Sequence, residues 1–221
     1  MELVLVFVLC VAVAGWSKVF ADRRTFERRL AELESLVYVD ALTGLGNRRK
    51  FDDALRSKAA HAIRAGEPLV VLVMDVNDFK GVNDEYGHGF GDRVLRRIAN
   101  AITDAVRPTD VVCRFGGDEF AVILQCCDIP GARTVASRMA RNLEVNAIVR
   151  GEDIVRLSIS IGGTCLETCG GQVLIGGKFI GSWNEPGISN SLPESLCHGA
   201  DNRLYVAKQR KTAETCPVEI S

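Results

Sequence analysis

Residues 69–76 read LVVLVMDV, seven apolar side chains with a single carboxylate, Asp75, next to last. No polar residue alternates with the apolar ones, so the run reads as a strand buried on both faces. Such a strand needs helices on either side of its sheet, and the flanking stretches supply them. Residues 47 to about 65 are helical in pattern, and about 90 to 107 carry Val94, Leu95, Ile98, Ile102 and Val106 on one side. Two runs rich in strand-forming residues, 111–115 and 120–125, flank Gly116-Gly117-Asp118-Glu119 and predict a hairpin. Helical pattern returns at about 132–143, strand pattern at 155–161, and a last helix near 194–211. Strands separated by helices, with one tight hairpin, predict an α/β (α+β) sandwich in which helices flank a central mixed sheet.

The chain opens differently. Residues 3–16, LVLVFVLCVAVAGW, hold no charge, and the run reaches residue 21 with only Lys18 interrupting. Nineteen residues of helix span roughly 28 Å, close to the hydrocarbon thickness of a bilayer. A signal peptide wants a basic start, and only Met1 and Glu2 precede the run. Lys18, Arg23, Arg24, Arg28 and Arg29 follow it closely, which by the positive-inside rule turns the rest toward the cytoplasm. The expectation is a membrane anchor over 1–21, single-pass in the inner membrane, with the domain that follows in the cytoplasm. Residues 22–39 carry Phe26, Leu30, Leu33 and Val37 at spacings 4, 3, 4, the rhythm of a helical stalk or of an amphipathic linker. The domain itself is expected over 40–215, with a glycine-, serine- and asparagine-rich surface insertion at about 163–195 that holds a short hairpin, QVLIGG then KFIGSW.

Composition sets outer limits. Of 221 residues 47% are hydrophobic and 25% charged, and 27 basic against 28 acidic side chains leave a formal charge of -1. This is globular composition without the basic excess that gripping nucleic-acid phosphates requires, so no nucleic-acid partner is expected. Eight cysteines are too few for a disulfide scaffold in this length. Cys165, Cys169, Cys197 and His198 are a conceivable zinc set, but the long gap between Cys169 and Cys197 favours reduced, partly buried thiols.

Chemistry concentrates around Asp75. A carboxylate at the tip of a buried strand, and the pair Asp118-Glu119 in a hairpin turn, converge if the strands are neighbours. Carboxylates brought together repel unless a hard cation neutralises them, and Mg²⁺ favours a few carboxylate oxygens plus phosphate. Gly116 and Gly117 allow the positive φ and close ligand approach such a turn needs. An isolated acidic turn is otherwise merely a solvated one.

Arg114 to Phe120 reads RFGGDEF, and the chain resembles the GGDEF-domain diguanylate cyclases over residues 40 to about 210. The opening motif DALTGLGNR (40–48), the block Asp75-Val76-Asn77-Asp78-Phe79-Lys80 with Asn83-Asp84, Gly87-His88 and Gly91-Asp92, and the closing Ala200-Asp201 … Leu204-Tyr205-Val206-Ala207-Lys208 occur in the family's order. The resemblance implies a ferredoxin-type sandwich like the palm of nucleotide cyclases and polymerases. It implies an enzyme that joins two GTP into cyclic di-GMP and two pyrophosphates, each 3′-hydroxyl attacking the other's α-phosphorus, as a homodimer.

Carried over position by position, Asp75, Asp118 and the Val76 carbonyl hold two Mg²⁺ per active site, Mn²⁺ being an alternative ion. Glu119 is a further ligand or the acceptor of the hydroxyl proton. Asp78, Phe79 and Lys80 cradle the terminal phosphates, as helix N-termini do, and Lys208 adds charge. Asn83 and Asp92 lie on the guanine edge, where a carboxylate accepts from a donor pair that adenine lacks. Arg107-Pro108-Thr109-Asp110 fits the family's RxxD site for inhibitory product, with Arg138 as a second contact. One departure stands out: Thr212 occupies the place of a phosphate-touching arginine. The alternatives are a catalytically silent cyclic di-GMP receptor and a cyclase of relaxed base choice.

Overall fold

The structure is a computed structural model that describes residues 1, 16, 23, 37–145, 148–150, 153–169, 172–182, 188–209 and 218–220. The chain divides into two units, Met1–Val39 and Asp40–Ser221, and the fold is that of the second. Most of the expected anchor (1–21) and stalk (22–39) lies outside the described residues. Among the described residues no helix is long and apolar enough to cross a membrane. That finding corrects the expected single-pass inner-membrane placement, which has no support in the structure.

The buried run is the hub. Strand β1 (Leu69–Val76) pairs antiparallel with β3 (Glu119–Gln125) on one edge and with β6 (Ile159–Cys169) on the other. β2 (Val111–Gly116) extends the sheet beyond β3, and β7 (Gln172–Ile175) and β8 (Lys178–Ser182) extend it beyond β6. β9 (Val218–Ile220) runs parallel to the start of β6, making the sheet mixed as expected. A separate ribbon joins β4 (Ile148–Arg150) and β5 (Asp153–Val155).

Alternation along β1 divides the core in two. Val70, Leu72, Met74 and Val76 face a layer built by α3 (His88–Thr103) and α4 (Ile129–Val145). Leu69, Val71 and Val73 face α1 (Arg48–Ala65) and α5 (Ile188–Gln209). The first helix starts where Asn47 accepts a hydrogen bond from the Lys50 amide and stops at Gly66, a left-handed cap with φ 70°. Between those ends it buries Phe51, Leu55, Ala59 and Ala62, one per turn. α5 lies so close to β6 that a Cβ at Gly162 would overlap the Leu204 amide nitrogen and the Ala200 carbonyl.

Several boundaries differ from the sequence expectation. A short helix, α2 (Phe79–Tyr86), precedes α3 and has no fully buried residue, so it leaves no apolar stripe to read. α3 ends at Thr103 rather than near 107, because residues 104–110 form turns closed by Asp110 N donating to Arg107 O at 3.0 Å. The strand expected at 155–161 is two strands, β5 ending at Val155 and β6 beginning at Ile159. β6 continues to Cys169 with Gly163, Thr164, Cys165 and Leu166 buried, so residues 163–169 belong to the sheet and not to a surface insertion. Beyond them the anticipated hairpin is present as β7–β8.

Candidate active site

Strand register brings the first two chemical residues together. Asp75 stands directly opposite Glu119 on β3 and Ser160 on β6. Asp75 shares parity with Val71 and Val73, and Glu119 with Ala121 and Ile123, so both belong to the sheet face covered by α1 and α5. The Val76 amide donates to the Asp118 carbonyl at 3.1 Å, which ties the turn to the end of β1. Asn77 is locked beside it, its Nδ2 donating to Ser158 Oγ (3.1 Å) and its Oδ1 accepting from Ser160 Oγ (2.8 Å).

The turn holds its shape through two residues whose role no local pattern reveals. Gly116 and Gly117 take φ 139° and 54°, the second a left-handed value that side chains rarely adopt. The Arg114 guanidinium donates to the Gly117 carbonyl from Nε (3.1 Å) and from an NH2 group (2.7 Å). Its other nitrogen reaches both oxygens of Asp40, at 3.1 and 3.2 Å. Asp40 also accepts from the Thr43 amide (2.9 Å) and hydroxyl (2.6 Å). Burial pushes the Asp40 carboxyl up, but the Thr43 donors and the Arg114 guanidinium outweigh it and hold the group below its ordinary 3.8. The opening motif is thus a clamp on the acidic turn. Asp40 and Arg114 are 74 positions apart, and a contact at that separation leaves no spacing signal.

Asp75 and Glu119 face each other across β1 and β3, and Asp118 sits in the turn beside them. Among the described residues no group of three or more His, Cys, Asp or Glu side chains is placed to hold a metal ion. Asp75 pairs with the Lys208 ammonium of α5 at 2.8 Å. The donor chemistry fits a hard divalent ion, since two carboxylates, Asp75 and Glu119, face each other in register.

Next to this edge, Asp78 caps α2 in a left-handed conformation, φ 55°, with no side-chain capping bond. The first amides of α2, those of Phe79 and Lys80, begin a helix and have no acceptor within it. Lys80 is exposed and Phe79 half-buried. One turn on, Asn83 Oδ1 is buried without a hydrogen-bond partner, a costly state for a carbonyl. A Cβ at Gly91 would overlap that oxygen, so only glycine leaves room for it. Asp92, half-buried, follows Gly91 on α3.

Arg107, Asp110 and Arg138 line one cavity of about 330 Å³. The Asp110 carboxylate accepts from the amides of Arg107 (2.9 Å) and Gln125 (3.2 Å) and so fixes the turn. Arg138 donates to the Ala105 carbonyl from Nε (2.8 Å) and NH2. The zinc alternative finds no cluster among the described residues: Cys165 is buried, Cys169 exposed and Cys197 half-buried, all free thiols. Thr212 lies outside the described residues.

Comparison with known proteins agrees with this arrangement. Residues 37–174 match the family described as diguanylate cyclase, GGDEF domain. The sequence is 36% identical over 178 residues to the diguanylate cyclase DosC of Escherichia coli, covering 79% of this chain and 34% of DosC. It is 33% identical over 175 residues to the response regulator PleD of Caulobacter vibrioides, again covering 34% of that protein. The chain therefore spans about a third of the length of these curated relatives. In three dimensions it is similar to the coiled coil and GGDEF domain of DgcB from Caulobacter crescentus, crystallised in complex with c-di-GMP. That match has a TM-score of 0.71 at 25% identity and covers 94% of this chain and 98% of the other. A seven-stranded palm-like sheet with an acidic glycine turn at its edge defines the class, and the chain belongs to the GGDEF-domain diguanylate cyclase family.

Proposed function

We propose that this chain condenses two molecules of GTP into cyclic di-GMP with release of two pyrophosphates, working as a homodimer in which each protomer presents one nucleotide. The observation that carries the reading is the register pair of Asp75 and Glu119 at the sheet edge, with the clamped glycine turn beside it. Cyclic di-GMP is the ligand of the DgcB structure, and the curated relative DosC is a diguanylate cyclase.

In this reading Asp75, with Asp118, Glu119 and the Val76 carbonyl, holds Mg²⁺ or Mn²⁺, two ions per site. The ions supply Lewis acidity, lowering the pKa of the attacking hydroxyl and neutralising the leaving pyrophosphate. The amides that open α2 after Asp78, with Lys80, bind the β- and γ-phosphates, and Lys208 adds positive charge. Glu119 takes the 3′-hydroxyl proton as oxygen bonds to the α-phosphorus and the bond to pyrophosphate breaks. Asn83 and Asp92 read guanine: the orphaned Asn83 oxygen and the Asp92 carboxylate accept from the base's N–H groups, a pairing adenine does not offer. Product returning to the Arg107, Asp110 and Arg138 cavity slows the enzyme.

The deciding experiment incubates the full chain with Mg²⁺ and GTP or ATP and resolves the products. Cyclic di-GMP from GTP alone supports the reading, and mixed dinucleotides support relaxed base choice. No turnover combined with tight cyclic di-GMP binding supports a receptor. Arg107→Ala is the clean probe of feedback, since Asp110 also caps a turn. Product inhibition should weaken by roughly tenfold or more on loss of a charge-assisted fork, and an unchanged inhibition curve removes the site.

A further inference from the structure

The Lys208–Asp75 contact is built by the fold. Its side chains are 43% and 16% exposed, so the carboxylate is the better buried of the two. Gly162 lets the α5 backbone rest on β6 at Ala200 and Leu204. From Gly162, opposite Val73, to Ser160, opposite Asp75, is two strand residues, or roughly 6.6 Å. From Leu204 to Lys208 is four helical residues, about 6.0 Å. The two steps match, so α5 delivers an ammonium beside Asp75 on the face that residue shares with Val71 and Val73.

We propose that Lys208 is the resident cation of Asp75 in the nucleotide-free protein, and that its ammonium transfers from Asp75 to the triphosphate when nucleotide arrives. The proposal rests on the cyclase reading and adds an order of binding to it. A divalent ion placed at Asp75 with the ammonium still there meets a carboxylate whose charge is already balanced and a neighbouring cation that repels it. Triphosphate oxygens offer the displaced ammonium another anion. Metal binding alone is therefore weak, and metal and nucleotide bind with positive coupling.

The test is a Mn²⁺ titration of the full 221-residue chain without nucleotide, following free Mn²⁺ by electron paramagnetic resonance. Wild type is compared with Lys208→Met, Lys208→Gln and Lys208→Arg, each checked for folding by circular dichroism; Asp75→Asn identifies the sites that depend on Asp75. Removing the ammonium should tighten Asp75-dependent Mn²⁺ binding by roughly tenfold, a figure discounted for solvent exposure. Lys208→Arg should stay within about twofold of wild type, since the charge is kept. With a non-hydrolysable GTP analogue present the advantage of the neutral variants should vanish or reverse. Equal or weaker Mn²⁺ binding by both neutral variants, or no Asp75-dependent binding in either, overturns the proposal. Cyclic di-GMP formation by wild type under those outcomes leaves the cyclase reading standing, whereas absence of turnover by wild type sinks that reading separately.

Discussion

Single side chains carry the reaction proposed here, and two substitutions separate chemistry from binding. Glu119 is exposed at the start of β3 and supports no core, so Glu119→Gln should fold normally. As the acceptor of a hydroxyl proton it should cost about 10²–10⁴-fold in turnover on replacement. Rates of cyclic di-GMP formation, read beside an unchanged circular dichroism spectrum, check this, and retained activity removes Glu119 from its role. Gly91→Ala addresses the base instead. The added methyl displaces the Asn83 oxygen it would overlap, so KM for GTP should rise roughly tenfold with a smaller change in kcat, as expected when a polar contact to the base is lost. Steady-state kinetics with GTP decide it. Asp75, the glycine turn, Asn83 and Lys208 were all visible in the sequence, because each lies in a short block whose spacing carries meaning. Asp40 and Arg114 sit in two of those blocks as well, yet their partnership was not visible, since a contact between distant segments has no spacing of its own.

Among the elements, the opening loop matters most to the hairpin. Asp40 links the 40–48 segment to the acidic turn through Arg114, and its carboxyl is held below its ordinary value. A depressed carboxyl stabilises the fold above its unfolded pKa, and the contribution is lost as pH falls through the lower folded value. Asp40→Asn should therefore melt below wild type at neutral pH, with the gap closing as pH drops below about 3.8. Thermal melts at several pH values test it, and a gap that persists into acid means the clamp works by shape alone. Helices with a buried stripe, α1 and α4, were legible because apolar residues recur on one side. α2 was not, because it buries no residue fully and its role is to turn the chain past the sheet edge. β6 was cut short in the sequence reading because Gly162 and Gly163 look like loop residues, whereas one makes room for the α5 backbone and the other for Leu72 and Ile220.

For the whole molecule, the two-layer core sets the chemistry of the thiols. Burial pushes Cys113 and Cys165 up to about 12 and Cys197 up to about 11, so these are thiols and not thiolates near neutrality. Cys169 is exposed at the end of β6. Mild alkylation of the native protein at pH 8, followed by peptide mass spectrometry, should modify Cys169 well before those three. Early labelling of Cys113 or Cys165 contradicts the packing of the core. Cys113, Cys165 and Cys197 thus behave as small apolar side chains.

By itself the sequence determined which stretches are buried, because burial is written in local patterns: an unbroken apolar strand, helices with an apolar side, a glycine turn between two strand-forming runs. It determined the family for the same reason, through short blocks in order. Tertiary structure alone decided what those blocks touch. Parity along β1 placed Asp75 on the α5 side, the seating of α5 at Gly162 brought Lys208 to it, and the Asp40–Arg114 clamp set the turn. These are meetings between segments far apart in the chain, settled by strand register and helix packing, and no window of neighbouring residues contains them.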